Sequence, residues 1–298
     1  MTYGLYYAEF IDIIKAPFQS PGAGGEQRMT QTRAVKSFKA FGTRDEKDVL
    51  AVVRDPVNNI QFIRLIFPDI LGRPMEFTIP SSELAAAFKE GKGFDGSSVA
   101  GFVRIEESDL IIMPDPRSFR VLPWSYQGFA RDVNWREAAM FGDIRTPDGA
   151  VYSGDSRAKL KGIIGRAKRE IGIDDFKCGP ELEFFIFPSS AEPSPTDGGT
   201  YFSGGRHGEI RKEIQLLLHR MGIMTEYDHH EVAHGQHEID LRYLNAVEMA
   251  DTAMIFRYMV KKVCRMSGLY ATFMPKPING QNGSGMHVHQ SLWRGGRN

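Results

Sequence analysis

Apolar residues recur with recognisable periods from about residue 45 onward. Residues 49–53 and 60–67 are rich in Val, Ile and Phe and are separated by Asp, Pro and Asn, which predicts a β-hairpin. A third strand is predicted at 75–79, followed by a short helix that ends near Lys89. The first part of the chain is therefore predicted to contain strands around one helix.

Helical periodicity dominates three later stretches, at about 157–171, 209–221 and 245–266. The buried stripe predicted for the last helix consists of Val247, Ala250, Met254 and Tyr258. Strand-like segments lie between these helices, which favours a curved sheet backed by helices. The pattern predicts an α+β protein.

A chain of 298 residues suggests two domains at roughly 100–200 residues per domain. We place the first domain at 45–145 and the second at 150–298. Residues 1–28 contain an aromatic segment and a Pro/Gly-rich linker. They are interpreted as an extension outside either core that arose from a misassigned start site, with an interface arm as the alternative.

The composition narrows the class of protein. The chain carries 37 basic and 37 acidic residues, so no charge excess indicates nucleic acid or an acidic membrane surface as a partner. Its two cysteines, Cys178 and Cys264, form no Cys-x-x-Cys pattern, which fits a reducing compartment. No apolar run approaches the roughly 20 residues of a membrane span. These features predict a cytoplasmic protein.

The highest concentration of candidate metal-ligating residues lies at 229–240, where four histidines, two glutamates and an aspartate occur within twelve residues. A turn or bulge at Gly235 can bring Glu231 and Glu238 to one point. Carboxylates gathered in this way need a counter-charge, and a bound cation is the natural one. A solvated polar edge is the alternative.

Two further stretches repeat this design. Glu181 and Glu183 are two residues apart on a predicted buried strand and therefore share a face. His287 and His289 share a face of a later strand that follows a glycine-rich turn. Oxygen ligands with one or two imidazoles favour magnesium or manganese over structural zinc.

Together these stretches resemble glutamine synthetase of the bacterial and archaeal type I form. The motifs that carry the resemblance lie at 94–98, 106–109, 179–185, 229–240 and 282–289. The resemblance extends from about Asp45 to Asn298. The family continues beyond the equivalent of Asn298, so we expect an incomplete catalytic half that is inactive by itself.

The resemblance implies an N-terminal β-grasp domain followed by part of a half-barrel catalytic domain. It also implies an ATP-dependent glutamate–ammonia ligase that forms glutamine through γ-glutamyl phosphate. Two to three Mg²⁺ or Mn²⁺ ions are expected in each site. The partners it implies are glutamate, ammonia, ATP and further copies of the chain in a homo-oligomeric ring with shared active sites.

Specific residues follow from the positions of the motifs. The cation nearer the substrate is assigned to Glu183, Glu231 and Glu238, and the cation at the ATP phosphates to Glu181 and His287. The substrate positions are Asn282, Gly283 and Tyr201, the last in a loop with one residue more than the family motif. The nucleotide positions are Glu226, His289 and Ser291. Asp95, from a neighbouring subunit, is expected to deprotonate ammonium.

Several alternatives remain open from the sequence. A γ-glutamyl ligase that uses another amine would show the same phosphate and metal motifs. A non-catalytic glutamine synthetase-like protein is a second alternative, and a carboxylate-bridged metallohydrolase a third, although the Asp95 motif argues against the last. His229 and His230 are candidate ligands, whereas His234 and His237 are predicted to support ligands or structure.

Overall fold

The computed structural model describes residues 44–99, 101, 108–127, 134–191 and 194–298. The predicted extension 1–28 lies outside these residues. The chain divides into two compact units, Met1–Lys159 and Leu160–Asn298. Both units combine helices with a β-sheet, as the α+β prediction requires.

The first unit contains two helices and a mixed sheet. The helices are α1 (Glu46–Arg54) and α2 (Leu84–Glu90), and the strands are β1 (Ile60–Pro68), β2 (Pro74–Pro80), β3 (Lys92–Asp95), β4 (Asp109–Pro114), β5 (Arg120–Val121), β6 (Tyr126–Gln127) and β7 (Asn134–Arg145). The strands run in the order β2-β1-β7-β4-β3, and β5 and β6 also pair with β7. β1 and β7 are parallel, whereas β1 and β2 form an antiparallel hairpin.

The predicted strand at 49–53 is wrong, because these residues belong to α1. Asp45 caps this helix: its carboxylate accepts the N–H of Asp48 at 2.8 Å, and the Asp48 carboxylate accepts the N–H of Asp45 at 3.4 Å. Val49 and Val53 are four residues apart and lie buried on one face. The cap and this spacing outweigh the β propensity of the valines. The hairpin forms one element later, between β1 and β2.

The core of the first unit lies between the sheet and its helices. Ile63 and Leu65 of β1 are fully buried, and Leu84 and Phe88 of α2 pack in the same cluster. Ile112 of β4 joins them. Phe94 of β3 packs against this core and thereby holds the end of the strand at Asp95.

The second unit is built around one long strand. Its elements are α3 (Ser156–Ile171), whose first turn belongs to the first unit, β8 (Asp175–Phe187), α4 (Gly208–Arg220), β9 (Thr225–His230), β10 (Gln236–Leu241), β11 (Leu244–Asn245), α5 (Ala246–Met266), β12 (Tyr270–Thr272) and β13 (Met286–Trp293). The sheet has the order β11-β8-β10-β9, and β12 and β13 also pair with β8. All these pairings are antiparallel.

The helices α4 and α5 cover one face of this sheet, where α5 packs on β8 and α4 on β9 and β10. Asn245 caps α5 by accepting the N–H of Glu248 at 3.1 Å, and Gly222 follows the end of α4 with a φ of +77°. No helix of the described residues combines the length and apolarity needed to cross a membrane.

The predicted buried stripe of α5 is wrong by about one position. Ala250 is exposed, and Val247, Met254 and Tyr258 are only partly buried. The residues that α5 buries are Ala246, Met249, Asp251, Thr252, Ile255, Phe256, Met259, Val260, Val263 and Cys264. This stripe removes larger side chains from water, and buried apolar area decides which face of a helix turns inward.

Candidate active site

Four carboxylates form a two-by-two block on one face of β8 and β10. In the antiparallel register, Glu238 lies opposite Glu183. Two residues along, Asp240 lies opposite Glu181. Because side chains two positions apart on a strand share a face, all four carboxylates point to the same side. We call this block the carboxylate face, and it confirms that Glu181 and Glu183 share a face.

His229 and Glu231 extend the carboxylate face at one end. His229 pairs with Glu238 across β9 and β10. Its Nε2 lies 3.4 Å from an oxygen of Glu238, and its Nδ1 lies 3.4 Å from an oxygen of Glu231. Gly235, with a φ of +69°, turns the chain between the two strands. This turn brings Glu231 and Glu238 to one point, as the sequence predicts.

Two histidines of β13 flank Glu181 at the other end. His287 lies opposite Glu181 in the register of β13 and β8, and its Nδ1 lies 3.4 Å from Oε2 of that glutamate. The Nε2 atom of His289 lies 2.6 Å from Oε1, which is a hydrogen-bond distance. Both imidazoles therefore share one face of β13, as predicted, and both contact the same carboxylate.

Burial and mutual repulsion hinder ionisation of Glu238 and Glu183. Burial, hydrogen bonds with Glu231 and Asp240, and the nearby carboxylate charges raise the pKa of Glu238 to about 9. Burial raises the pKa of Glu183 as well, and the charge of Glu231 adds to that rise. A divalent cation would favour the ionised forms. Carboxylate oxygens with imidazole nitrogens are a donor set that fits magnesium or manganese.

Gln236 is a member of this site that the sequence analysis missed. Its buried side chain donates hydrogen bonds to Oε2 of Glu183 at 2.6 Å and to the carbonyl oxygen of Gly283 at 3.0 Å. It lies two residues before Glu238 on β10, and this period-two spacing is the signal that could have found it. Gln236 ties Glu183 to the turn that precedes β13.

That turn contains the predicted substrate residues Asn282 and Gly283. A Cβ atom on Gly283 would lie 2.2 Å from the carbonyl oxygen of Pro275, so a larger residue would displace the backbone. A Cβ atom on Gly285 would lie 2.9 Å from a carboxylate oxygen of Glu183. Gly285 therefore allows the main chain to approach the carboxylate face closely, and Gly283 allows it to approach Pro275.

Three aromatic rings surround His229. The rings of Tyr201 and Phe202 meet the imidazole edge to face, with centroids at 5.4 Å and 4.7 Å, and Tyr227 stacks on it at 5.8 Å. Phe202 has a positive φ of 59°, and its N–H donates to the carbonyl oxygen of His230 at 3.0 Å. The loop with the additional residue thus places Tyr201 beside His229.

The predicted nucleotide residues lie on two strands that β8 and β10 separate. Glu226 is exposed on β9. On β13, His289 contacts Glu181, as described, and the Ser291 hydroxyl accepts a hydrogen bond from Nε1 of Trp293 at 2.8 Å. The Lys177 ammonium lies 4.2 Å from the centroid of the same indole. His289 and Ser291 are therefore close along one strand, and Glu226 is on another.

Asp95 ends β3 in the first unit and is exposed. Its Oδ1 accepts hydrogen bonds from the hydroxyl and the N–H of Ser97, at 2.6 Å and 2.8 Å, and these bonds lower the pKa of Asp95. Residues 106–107 of the following motif lie outside the described residues. Asp95 is thus an ionised carboxylate that is open to a cationic ligand.

A second cluster lies on the opposite face of β9 and β10. We call Asp197, Arg211, His230 and His237 the polar layer. Asp197 lies 3.7 Å from Nε2 of His230 and 3.8 Å from Nε2 of His237. Its carboxylate also accepts three backbone N–H groups of the loop that carries Tyr201. Although burial alone would raise the pKa of Asp197, these donors lower it.

The protonation of His237 argues against a metal ion in the polar layer. By spacing alone, Asp197, His230 and His237 could hold one. However, Nη1 of Arg211 lies 2.8 Å from Nδ1 of His237. Since a guanidinium only donates, Nδ1 accepts this bond. Burial and the Arg211 charge keep the pKa of His237 well below its usual range. The neutral ring therefore carries its hydrogen on Nε2, which then cannot bind a metal.

The fold and the site define a class of two-domain α+β proteins with a carboxylate-lined sheet suited to divalent cations. Within that class, the chain belongs to the glutamine synthetase family. Residues 59–147 match the family model of the glutamine synthetase β-grasp domain. Residues 153–298 match the model of the glutamine synthetase catalytic domain.

Individual glutamine synthetases are also similar to this chain in sequence. The chain is 43% identical over 260 residues to a glutamine synthetase of Methanosarcina mazei, a match that covers 85% of this chain and 56% of the relative. It is 42% identical over 247 residues to a glutamine synthetase of Thermotoga maritima, with 80% and 54% covered. The chain thus spans about half the length of the curated relatives it matches.

Solved structures show the same fold. A Plasmodium falciparum glutamine synthetase structure matches with a TM-score of 0.74 at 25% identity, covering 87% of this chain and 56% of that one. A GmaS structure in complex with ADP matches with a TM-score of 0.71 at 27% identity, covering 84% and 56%.

Proposed function

We propose that this chain carries the metal-binding part of an ATP-dependent glutamate–ammonia ligase. The observation that carries the proposal is the carboxylate face, with His229 and Glu231 at one end and His287 at the other. Membership of the glutamine synthetase family supports it.

The reaction explains why such a face is needed. A carboxylate does not form an amide with ammonia at neutral pH until it has a better leaving group. ATP transfers its γ-phosphoryl group to the glutamate side chain, which gives γ-glutamyl phosphate and ADP, and ammonia then displaces phosphate to give glutamine. Mg²⁺ or Mn²⁺ ions held by the carboxylate face would supply the positive charge that neutralises the crowded phosphoryl oxygens.

The proposed ligands divide between the two ends of the carboxylate face. The first cation is held by Glu183, Glu231 and Glu238, and the second by Glu181 and His287. The distances of 3.4 Å between His229 and its two glutamates support a compact first site, in which this imidazole orients the carboxylates. Gln236 fixes Glu183 from the side of the turn.

The remaining roles follow the family motifs. Glutamate is bound by Asn282 and Gly283, ammonium by Tyr201 and Asp95, and the nucleotide by Glu226, His289 and Ser291. The lowered pKa of Asp95 suits ammonium binding, and deprotonation follows when the substrate reacts. In our proposal Asp95 comes from a neighbouring subunit of a homo-oligomeric ring. The free thiols of Cys178 and Cys264 suit a cytoplasmic location.

A γ-glutamyl ligase acting on a larger amine is a second candidate function. The observation that favours it is the aromatic wall of Tyr201, Phe202 and Tyr227 around His229. Aromatic faces attract alkylammonium ions by cation–π interaction as well as by burial of their methyl groups. Rates with ammonium, methylamine and ethylamine would separate the two functions.

The decisive assay joins this chain at Asn298 to the C-terminal part of the Methanosarcina mazei relative. Glutamine formation from glutamate, ammonium and ATP should then appear, whereas the 298-residue chain alone should give none. Glu238→Gln and Glu181→Gln should each lower kcat by about 10²-fold or more, because each removes charge from a cation site. Glu170→Gln, on the exposed surface of α3, is the matched control.

Two results would contradict the proposal. One is ATP-dependent glutamine formation that survives both substitutions unchanged. The other is a well-folded fusion protein that binds Mn²⁺ and ATP but forms no γ-glutamyl amide with any amine. That second result would favour a non-catalytic member of the family.

A further inference from the structure

Asp240 is the carboxylate of the two-by-two block to which the proposed function gives no role. Glu183 and Glu238 belong to the first cation, and Glu181 belongs to the second. Asp240 lies opposite Glu181 across β10 and β8, and His287 lies opposite Glu181 across β8 and β13. Asp240, Glu181 and His287 therefore form one row over three strands, with their side chains on one face.

A β-bulge brings Tyr227 to Asp240. The register of β9 and β10 shifts between Ile239 and Leu241, so that two residues of β9 face Asp240. The Tyr227 hydroxyl donates a hydrogen bond to the Asp240 carboxylate, and this bond together with the Asp240 charge raises the pKa of Tyr227 to about 12. Bulges beside active sites often re-aim side chains. Here the bulge holds the carboxylate from one side.

One oxygen of this carboxylate is left without a donor. Asp240 is 6% exposed, and its Oδ1 is buried with no hydrogen-bond partner in the described part of the chain. Tyr227 and Glu238, which both form hydrogen bonds with Asp240, therefore meet the other oxygen. A buried carboxylate oxygen is unfavourable unless a donor or a cation meets it. Asp240 thus presents an unused ligand atom on the face that carries Glu181.

We propose that Asp240 is a further ligand of the divalent cation held by Glu181 and His287, and that Tyr227 orients it for this role. The inference rests on the proposed function, because it requires the second cation position. It gives that cation three ligands from this chain, which equals the number that the first cation receives.

A structural role is the competing explanation. Asp240 could serve only to bind Tyr227 and to hold β9 against β10. In that case its replacement would disturb both cation positions, or neither. A ligand role predicts a loss at the second position alone, and this difference decides the design of the test.

Titration of the 298-residue chain with Mn²⁺ provides the test, since free Mn²⁺ gives a sharp electron paramagnetic resonance signal that bound Mn²⁺ loses. We expect two ions per chain. A Glu231→Gln background removes the first ion and leaves the second. Adding Asp240→Asn to that background should raise the Kd of the remaining ion by roughly tenfold or more. In a Glu181→Gln background, Asp240→Asn should raise the Kd of the remaining ion by less than about threefold, because it removes only the contact of Asp240 with Glu238.

Three further variants complete the design. Tyr227→Phe in the Glu231→Gln background should weaken the same ion, but less than Asp240→Asn does. It keeps the carboxylate in place and so tests the row even if Asp240→Asn does not fold. Asp240→Glu should recover part of the affinity, and Glu170→Gln should change nothing. Circular dichroism verifies the fold of each variant.

The outcomes separate the inference from the proposed function. Equal loss of Mn²⁺ affinity in both backgrounds, or no loss in either, would overturn the role of Asp240 and leave the two cation positions intact. If the unchanged chain bound no Mn²⁺, the cation positions themselves would be overturned, together with the inference that depends on them.

Discussion

The two faces of β9 and β10 carry clusters of similar composition with opposite electrostatic balance. On the carboxylate face, Glu238 meets Glu231, Glu183 and Asp240, so that acidic groups face one another. In the polar layer, Asp197 accepts three backbone N–H groups. One face therefore gathers acidic groups, and the other holds its carboxylate with donors from its own chain.

Arg211 explains much of this difference. Its guanidinium donates to Asp228 on β9, to His237 on β10 and to the carbonyl oxygen of Gly204 in the loop. The polar layer thus contains its own cation, whereas in our proposal the carboxylate face takes one from solution. Both clusters have the spacing of a metal site, so spacing alone does not separate them. The balance of hydrogen-bond donors and acceptors is the reason why we propose a metal site on the carboxylate face only.

The largest expected effect on stability comes from removing Arg211, the cation of the polar layer. Arg211→Met should destabilise the fold by about 3–5 kcal/mol, because it leaves the partly buried Asp228 without its charged partner. Urea unfolding followed by circular dichroism measures this change. Arg166→Met, which removes only an exposed pair with Glu170, is the control and should cost less than about 1 kcal/mol. If the two variants lost equal stability, Arg211 would contribute no more than an exposed surface charge, and the contrast between the two faces would fail.

A smaller effect on stability is expected when Mn²⁺ is added from solution. Mn²⁺ at 100 times its Kd should stabilise the chain by about 2.7 kcal/mol per site, because it binds the folded state alone. Glu238→Gln should abolish most of the contribution of the first site. Without metal, the same substitution should have little effect on stability, because the pKa of about 9 keeps Glu238 protonated at neutral pH.

The control for this experiment lies on the other face. Asp197→Asn should keep the full thermal shift with Mn²⁺, since the polar layer binds no metal in our interpretation. A metal response that disappears with Asp197→Asn and survives Glu238→Gln would reverse the comparison of the two faces.

The smallest expected effect concerns pH. Asp197→Asn should destabilise the chain by roughly 1–3 kcal/mol at pH 7, because it weakens hydrogen bonds to a charged acceptor. The pKa of Asp197 is lowered in the folded state. Its stabilisation is therefore present above the unfolded value of about 3.9 and is lost as the pH falls through the folded value. The difference in unfolding free energy between the unchanged chain and Asp197→Asn should therefore become smaller in acid. A difference that grows in acid would contradict this account.

Local patterns allowed much of the carboxylate face to be predicted. Period-two spacing placed Glu181 and Glu183 on one face, and the glycine between Glu231 and Glu238 indicated the turn that joins them. Gln236 and Asp240 were missed, although they share the spacing of Glu238. Their partners depend on the register between β8, β9 and β10, which a single sequence does not reveal.

The errors in the fold have the same origin. Residues 49–53 have the composition of a strand, but the cap at Asp45 and burial against the core of the first unit select a helix. The helix α5 offers two apolar stripes, and contact with β8 selects the one that contains Phe256. The polar layer was missed for a related reason, because Asp197 and Arg211 lie far from His230 in sequence and meet it only through the fold.

The three backbone donors of Asp197 have a consequence for the dynamics of the loop that carries Tyr201. Its described residues 194–207 contain no helix or strand, so their amides would ordinarily exchange hydrogens readily with solvent. The amides of Gly199, Arg206 and His207 are instead bound to one buried carboxylate. They can exchange only when Asp197 releases them, so their protection should rise and fall together, as one cooperative unit with β9. The segment beside His229 thus has the conformation of a loop, but its amide hydrogens should be protected from exchange together with those of the sheet.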